Sequence, residues 1–109
     1  MTQDPQKEYD NLVQAMEAGG NAKASKMFGM PCLKTEKGKA FAGYYKGDMT
    51  FKLPPDTVQA WLQQKDSKLF DPGDMGRPMK EWLVLPVHYA KNWPELAQEA
   101  LDYVIRMTK

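Results

Sequence analysis

His88 and Cys32 are the only histidine and the only cysteine in the chain, and they fall on different predicted elements. A nucleophilic pair needs the two side chains within hydrogen-bond reach and a third group to orient the base. No local signature supplies that arrangement. Cys32 therefore reads as a small buried apolar residue of a strand, and His88 as a polar group at a strand end. Asp71 and Asp74 share one loop, but a calcium loop wants more oxygen donors at alternating spacing. They read as turn residues whose carboxylates bond nearby amides. Gly73 and Gly76 precede a predicted strand and lack the Lys-Ser/Thr ending of a phosphate loop. The expectation is a non-enzymatic protein with no catalytic, metal or cofactor-binding residues.

Two constellations have the residue types of a binding surface. The first is Met75, Arg77, Met79, Lys80 and Trp82, centred on the loop from Gly73 to Lys80. Arg and Trp are typical binding hot spots, and Met side chains adapt to a partner. The competing reading folds Met75 and Met79 over the core and buries Trp82 in it. The second constellation interleaves Lys39, Lys46 and Lys52 with Phe41, Tyr44, Tyr45 and Phe51 on predicted strands. Basic and aromatic residues together can hold phosphates and stack bases. Strand alternation works against that reading, since Phe51 and Lys52 must point to opposite faces. A third arrangement, a ligand pocket walled by Trp61, Trp82 and Trp93, is compatible with the composition.

The totals narrow the classes. A chain of 109 residues makes one domain, residues 1–109, with enough buried surface to fold without staples. Apolar content of 42% with three Trp, five Tyr and four Phe argues against disorder. The polar N-terminus lacks the apolar core of a signal peptide, and the longest apolar run, Trp82 to Leu85, is too short to span a bilayer. A cytoplasmic protein with no membrane partner is expected. The net charge of +1 excludes the global field usual in nucleic-acid binders. The charge is uneven, however: residues 21 to 53 hold seven lysines against Glu36 and Asp48. Lysines of this kind also keep strand edges soluble.

The elements that must position these residues can be read in order. Asp4-Pro5 starts a helix with the stripe Tyr9, Leu12, Val13 and Met16, which Gly19-Gly20 ends. Three strands follow, at 28–34, 40–45 and 49–53, joined by Gly-bearing gaps as an antiparallel meander. Pro31 predicts an edge position or a bulge for the first. Pro54-Pro55-Asp56 starts a short helix with Val58, Trp61 and Leu62 on its apolar stripe. Leu69-Phe70 is a brief strand, 71–78 an exposed loop, and 82–87 a strand covered on both faces. The last helix is capped at Asn92, with Glu95 completing a capping box. The fold class is α+β, a single antiparallel sheet in the order α-β-β-β-α-β-β-α.

The motifs Lys26-Met-Phe-Gly29, Phe41, Phe51-Lys52-Leu53, Leu69-Phe70 and Trp93-Pro-Glu-Leu-Ala-Gln-Glu-Ala-Leu101 resemble, in that order, the TfoX N-terminal-domain family. Gly38-Lys-Ala-Phe-Ala42, Lys52-Leu-Pro-Pro-Asp56 and Lys80-Glu-Trp82 are similar to the related YjbR (MmcQ-like) proteins. The resemblance spans roughly residues 24 to 104 and implies the same element order. It also implies a regulatory or binding role through protein contacts, with a homodimer as one form, and nucleic-acid binding as the alternative.

Overall fold

The computed structural model describes residues 4–20, 22–27, 30–45, 47–70 and 79–107, and of Met27, Met79 and Lys80 the backbone alone. Helix α1 (Pro5–Ala18) begins as its sequence dictates. The Asp4 carboxylate accepts from the amides of Gln6 at 3.1 Å and Lys7 at 3.4 Å. Those amides would otherwise lack partners at the helix start. Tyr9, Leu12 and Met16 are buried and Val13 packs beside them. After Gly19, Gly20 turns the chain at φ 82°, a conformation that favours glycine.

Among the described residues six strands follow: β1 (Ala22–Met27), β2 (Met30–Thr35), β3 (Ala40–Tyr45), β4 (Asp48–Lys52), β5 (Lys68–Phe70) and β6 (Met79–Leu85). They form one sheet in the order β1-β2-β3-β4-β6-β5, with every pairing antiparallel. The single antiparallel sheet of an α+β fold is therefore observed, with one strand more than expected. That strand is β1, whose Ala-Lys-Ala-Ser-Lys-Met run has little intrinsic β-preference. It forms because its backbone pairs along β2 from Ala22↔Thr35 to Met27↔Met30. The edge position expected for the strand containing Pro31 accordingly passes to β1. Pro31 is tolerated inside the sheet because it lies one residue beyond the last β2–β3 pair, Cys32↔Gly43. A bulge is present, but at Leu33/Lys34.

The second helix, α2 (Pro55–Leu62), starts at the expected prolines, with Val58 its buried residue. The third, α3 (Trp93–Met107), buries Trp93, Leu96, Ala97, Ala100, Leu101 and Val104. Two boundaries differ from expectation. Strand β6 ends at Leu85, because Pro86 introduces a 3-10 turn over Val87–Asn92. The chain thus enters α3 from that turn, and no Asn92 side-chain cap is seen among the described residues. Strand β6 also begins earlier, so Met79 and Lys80 belong to it.

All three α-helices pack on one face of the sheet. The main core joins Tyr9, Leu12, Val58, Trp93 and Leu101 to Leu33, Phe41, Met49, Phe51, Leu83 and Leu85. Burying each large apolar side chain there stabilises the fold by about 1.5–3 kcal/mol before entropy is counted. Among the described residues the opposite face has a second, smaller cluster made of strand residues: Met30, Phe70, Trp82 and Val84, with Ala40 and Tyr45 beside them. Alternation along β4 separates the two faces. Met49 and Phe51 go to the helices, while Thr50 opposite Val84 and Lys52 opposite Trp82 go the other way.

Candidate functional site

The helix-free face is organised by one cross-strand row. Ser25 is opposite Cys32, Cys32 opposite Gly43, Gly43 opposite Thr50, Thr50 opposite Val84, and Val84 opposite Lys68. Side chains in register across a sheet share a face. Small residues at its centre let larger neighbours close over them, so that Cys32 and Thr50 are fully buried. The cover includes a Tyr45–Phe70 edge-to-face pair with centroids 5.4 Å apart and a Phe70–Trp82 contact at 6.5 Å.

Lysines surround this cluster. Lys23 is opposite Lys34, Lys52 opposite Trp82, and Lys68 opposite Val84. Electrostatics give independent support for two of these positions. Burial pushes the Cys32 thiol up while Lys34 pulls it down, and burial pushes the Asp48 carboxyl up while Lys68 and then His88 pull it down. Lys34 thus lies beside Cys32 and Lys68 beside Asp48. Among the described residues the face presents four lysines against Asp48.

The connection from α2 to β5 fixes the Lys68 end. Ser67 Oγ donates to the carbonyls of Trp61 at 2.6 Å and Gln64 at 2.8 Å. Tyr89 Oη donates to the Lys65 carbonyl at 2.6 Å. Asp66 adopts a left-handed φ of 67°, which Asp tolerates better than most residues. Its carboxylate lies 3.7 Å from His88 Nε2, with both side chains 52% exposed. An exposed pair of this kind contributes little to stability.

The residues singled out in the sequence divide sharply. Trp82 is a core residue at 7% exposure, and Met75 and Arg77 lie outside the described residues. Met79 and Lys80 are on β6, with backbone alone described. The constellation of Lys39, Tyr44, Lys46 and Lys52 does not share one face. Tyr44 turns to the helical side, stacked on Tyr9 with centroids 5.1 Å apart. Lys39 lies in the β2–β3 connection, its amide donating to Thr35 Oγ1 at 3.2 Å. Lys46 is outside the described residues, and of the described three Lys52 alone is on the helix-free face. The three tryptophans do not wall a common pocket. Trp93 is in the main core, Trp82 in the second cluster on the other face, and Trp61 half-buried on α2.

Cys32 and His88 are equally separate in character, one fully buried and the other exposed beside Asp66. Among the described residues no group of three or more His, Cys, Asp or Glu is placed to hold a metal. No described helix is long and apolar enough to cross a membrane. A shallow groove of about 280 Å³ lies between α2 and α3, lined by Pro54, Thr57, Glu99, Asp102 and Arg106. Its two carboxylates outweigh Arg106. Sequence reasoning missed Lys23, Lys34 and Lys68 as surface partners of Lys52. The signal was present in the alternation of β2, but combining four strands requires their order.

No family model matches the chain, and no curated protein or solved structure does either.

Proposed function

We propose that this chain is a non-catalytic binding domain of the TfoX N-terminal-like type. In this reading the lysines that rim its helix-free sheet face, Lys23, Lys34, Lys52 and Lys68, meet an acidic protein partner. The observation that carries the reading is the four-to-one excess of lysine over Asp48 on a face that no described helix covers. Complementary charge steers encounter and sets register more than it adds affinity. The inaccessible Cys32 thiol and the separate His88–Asp66 pair support a role without catalysis. Nucleic acid is the less favoured partner. Stacking needs exposed aromatic faces, whereas Trp82 and Phe70 are buried and Tyr44 is under α1.

Titration with a labelled polyglutamate and a labelled oligothymidylate, each at low and physiological salt, tests this reading. Polyglutamate is expected to bind and to shift backbone resonances on β2, β4 and β5. Reversing Lys34, Lys52 and Lys68 to Glu should weaken it severalfold. Tighter oligothymidylate binding that survives physiological salt would overturn the protein reading in favour of nucleic acid.

A further inference from the structure

Among the described residues strand β1 is one edge of the sheet with no strand beyond it, and one of its outward groups is already occupied. The Ala24 amide donates to Glu17 Oε2 of α1 at 3.3 Å. Its N–H therefore points away from β2, and strand geometry sends the backbone groups of Ala22 and Lys26 the same way. An unpaired row of this kind is a template for another strand. The opposite edge, β5, is only three residues long, so β1 with six is the longer template.

We infer that the β1 edge docks an extended acidic peptide segment as a seventh strand, and that Glu17 closes this edge in the free chain. The Glu17 carboxylate occupies the position that a partner strand's carbonyl would take. Its bond is longer than the usual range of about 2.7–3.2 Å for N–H···O, and both groups are exposed, so an incoming strand can displace it. Ala22, Ala24 and Ser25 are small enough for close backbone approach. Lys23, with Lys34 opposite it on the same face, selects carboxylates at alternate positions of the peptide, and Lys26 offers a further cation on the other face. They also disfavour a second copy, because antiparallel pairing of two β1 edges brings lysines of both chains together. Strand addition of this type draws affinity from the backbone and specificity from side chains. The inference rests on the reading of an acidic protein partner but uses the edge of the sheet in place of its face.

The test uses the full chain and a labelled alternating Glu-Val peptide, with the matching Lys-Val peptide as control. The acidic peptide should bind, the basic one should not, and Glu17→Ala should tighten binding severalfold by removing the competing carboxylate. Hydrogen exchange at the Ala24 amide should slow on binding. The double variant Lys23→Glu, Lys26→Glu should lose the peptide while its circular dichroism is unchanged. Absence of binding to both wild type and Glu17→Ala overturns the inference. Binding that perturbs Lys34, Lys52 and Lys68 but leaves Ala24 exchange unchanged overturns the edge while sparing the reading of the lysine-rimmed face. Dimerisation of Glu17→Ala in sedimentation, without peptide binding, would make a second copy the occupant and overturn the acidic segment.

Discussion

The rings of Tyr9 and Tyr44 stack at 5.1 Å with an interplanar angle of 24°, and this contact decides which tyrosine of the Tyr44-Tyr45 pair faces the helices. Tyr9 belongs to α1 and Tyr44 to β3, so the stack ties the first helix to the middle of the sheet. Tyr45, the next residue, must then point to the helix-free face, where it meets Phe70. Burial drives the Tyr9 hydroxyl's titration far above the ordinary range, and Cys32, Asp10 and Glu17 add to the shift. That hydroxyl is also buried, with no hydrogen-bond partner among the described residues.

An unpartnered buried hydroxyl costs free energy that its removal recovers. Tyr9→Phe keeps the stack and is expected to stabilise the fold by about 1 kcal/mol, whereas Tyr9→Ala should cost about 3–5 kcal/mol. Urea unfolding of the two variants measures both, and a destabilised Tyr9→Phe would reveal a partner for the hydroxyl.

Thr50 offers a second case on the opposite face. Its side chain is fully buried and its Oγ1 has no hydrogen-bond partner among the described residues. Thr50→Val should raise stability by roughly 1 kcal/mol, since it exchanges that hydroxyl for a methyl group in a β-branched side chain. The shift in the urea midpoint at constant slope is the readout.

Trp82 separates a core residue from a contact residue. Its 7% exposure within the Met30–Phe70–Val84 cluster places it in the large-to-small class, so Trp82→Ala should cost about 3–5 kcal/mol. A loss within about half a kcal/mol would mark an exposed contact side chain instead.

Asp48 sets a pH dependence with a definite sign. Burial raises its carboxyl above the ordinary value of 3.8, with Lys68 and His88 opposing the shift. The folded state therefore binds the proton more tightly than the unfolded chain. The stability this contributes is fully present below the ordinary value and is lost as pH rises through the raised one. Asp48→Asn should accordingly be more stable than wild type at neutral pH, with the advantage shrinking as pH falls through the raised value and gone below the ordinary one. Thermal melts of both proteins across the acid range check it.

Cys32 is fully buried, and burial pushes its thiol up, against the opposing pull of Lys34. Its reaction with an aromatic disulfide reagent should wait on opening of the fold, because the thiolate is the reactive form and neither water nor reagent reaches it. The labelling rate should rise with urea in step with unfolding. Fast labelling of the native chain would place the thiol at a surface.

By itself the sequence determined the elements whose signals are local. The Asp4-Pro5 start and Tyr9–Met16 stripe of α1, the prolines before α2, and the apolar face of α3 depend only on residues within a few positions of one another. So does the alternation of Met49, Thr50, Phe51 and Lys52, which required one face for the helices and one for Lys52. What only the tertiary structure decided depends on residues distant in the chain. Ala22–Met27 has no strand signal of its own, and becomes the edge because β2 supplies its hydrogen bonds. Tyr44 and Tyr45 are interchangeable in the sequence until Tyr9 stacks on one and Phe70 meets the other. Trp82 reads as a contact or a core residue alike until Phe70, from the neighbouring strand, meets its ring. Lys23, Lys34, Lys52 and Lys68 become one charged face only once the order β1-β2-β3-β4-β6-β5 sets their strands in register. Local propensity acts over a few residues, whereas strand pairing and side-chain burial join residues that only the folded backbone brings together.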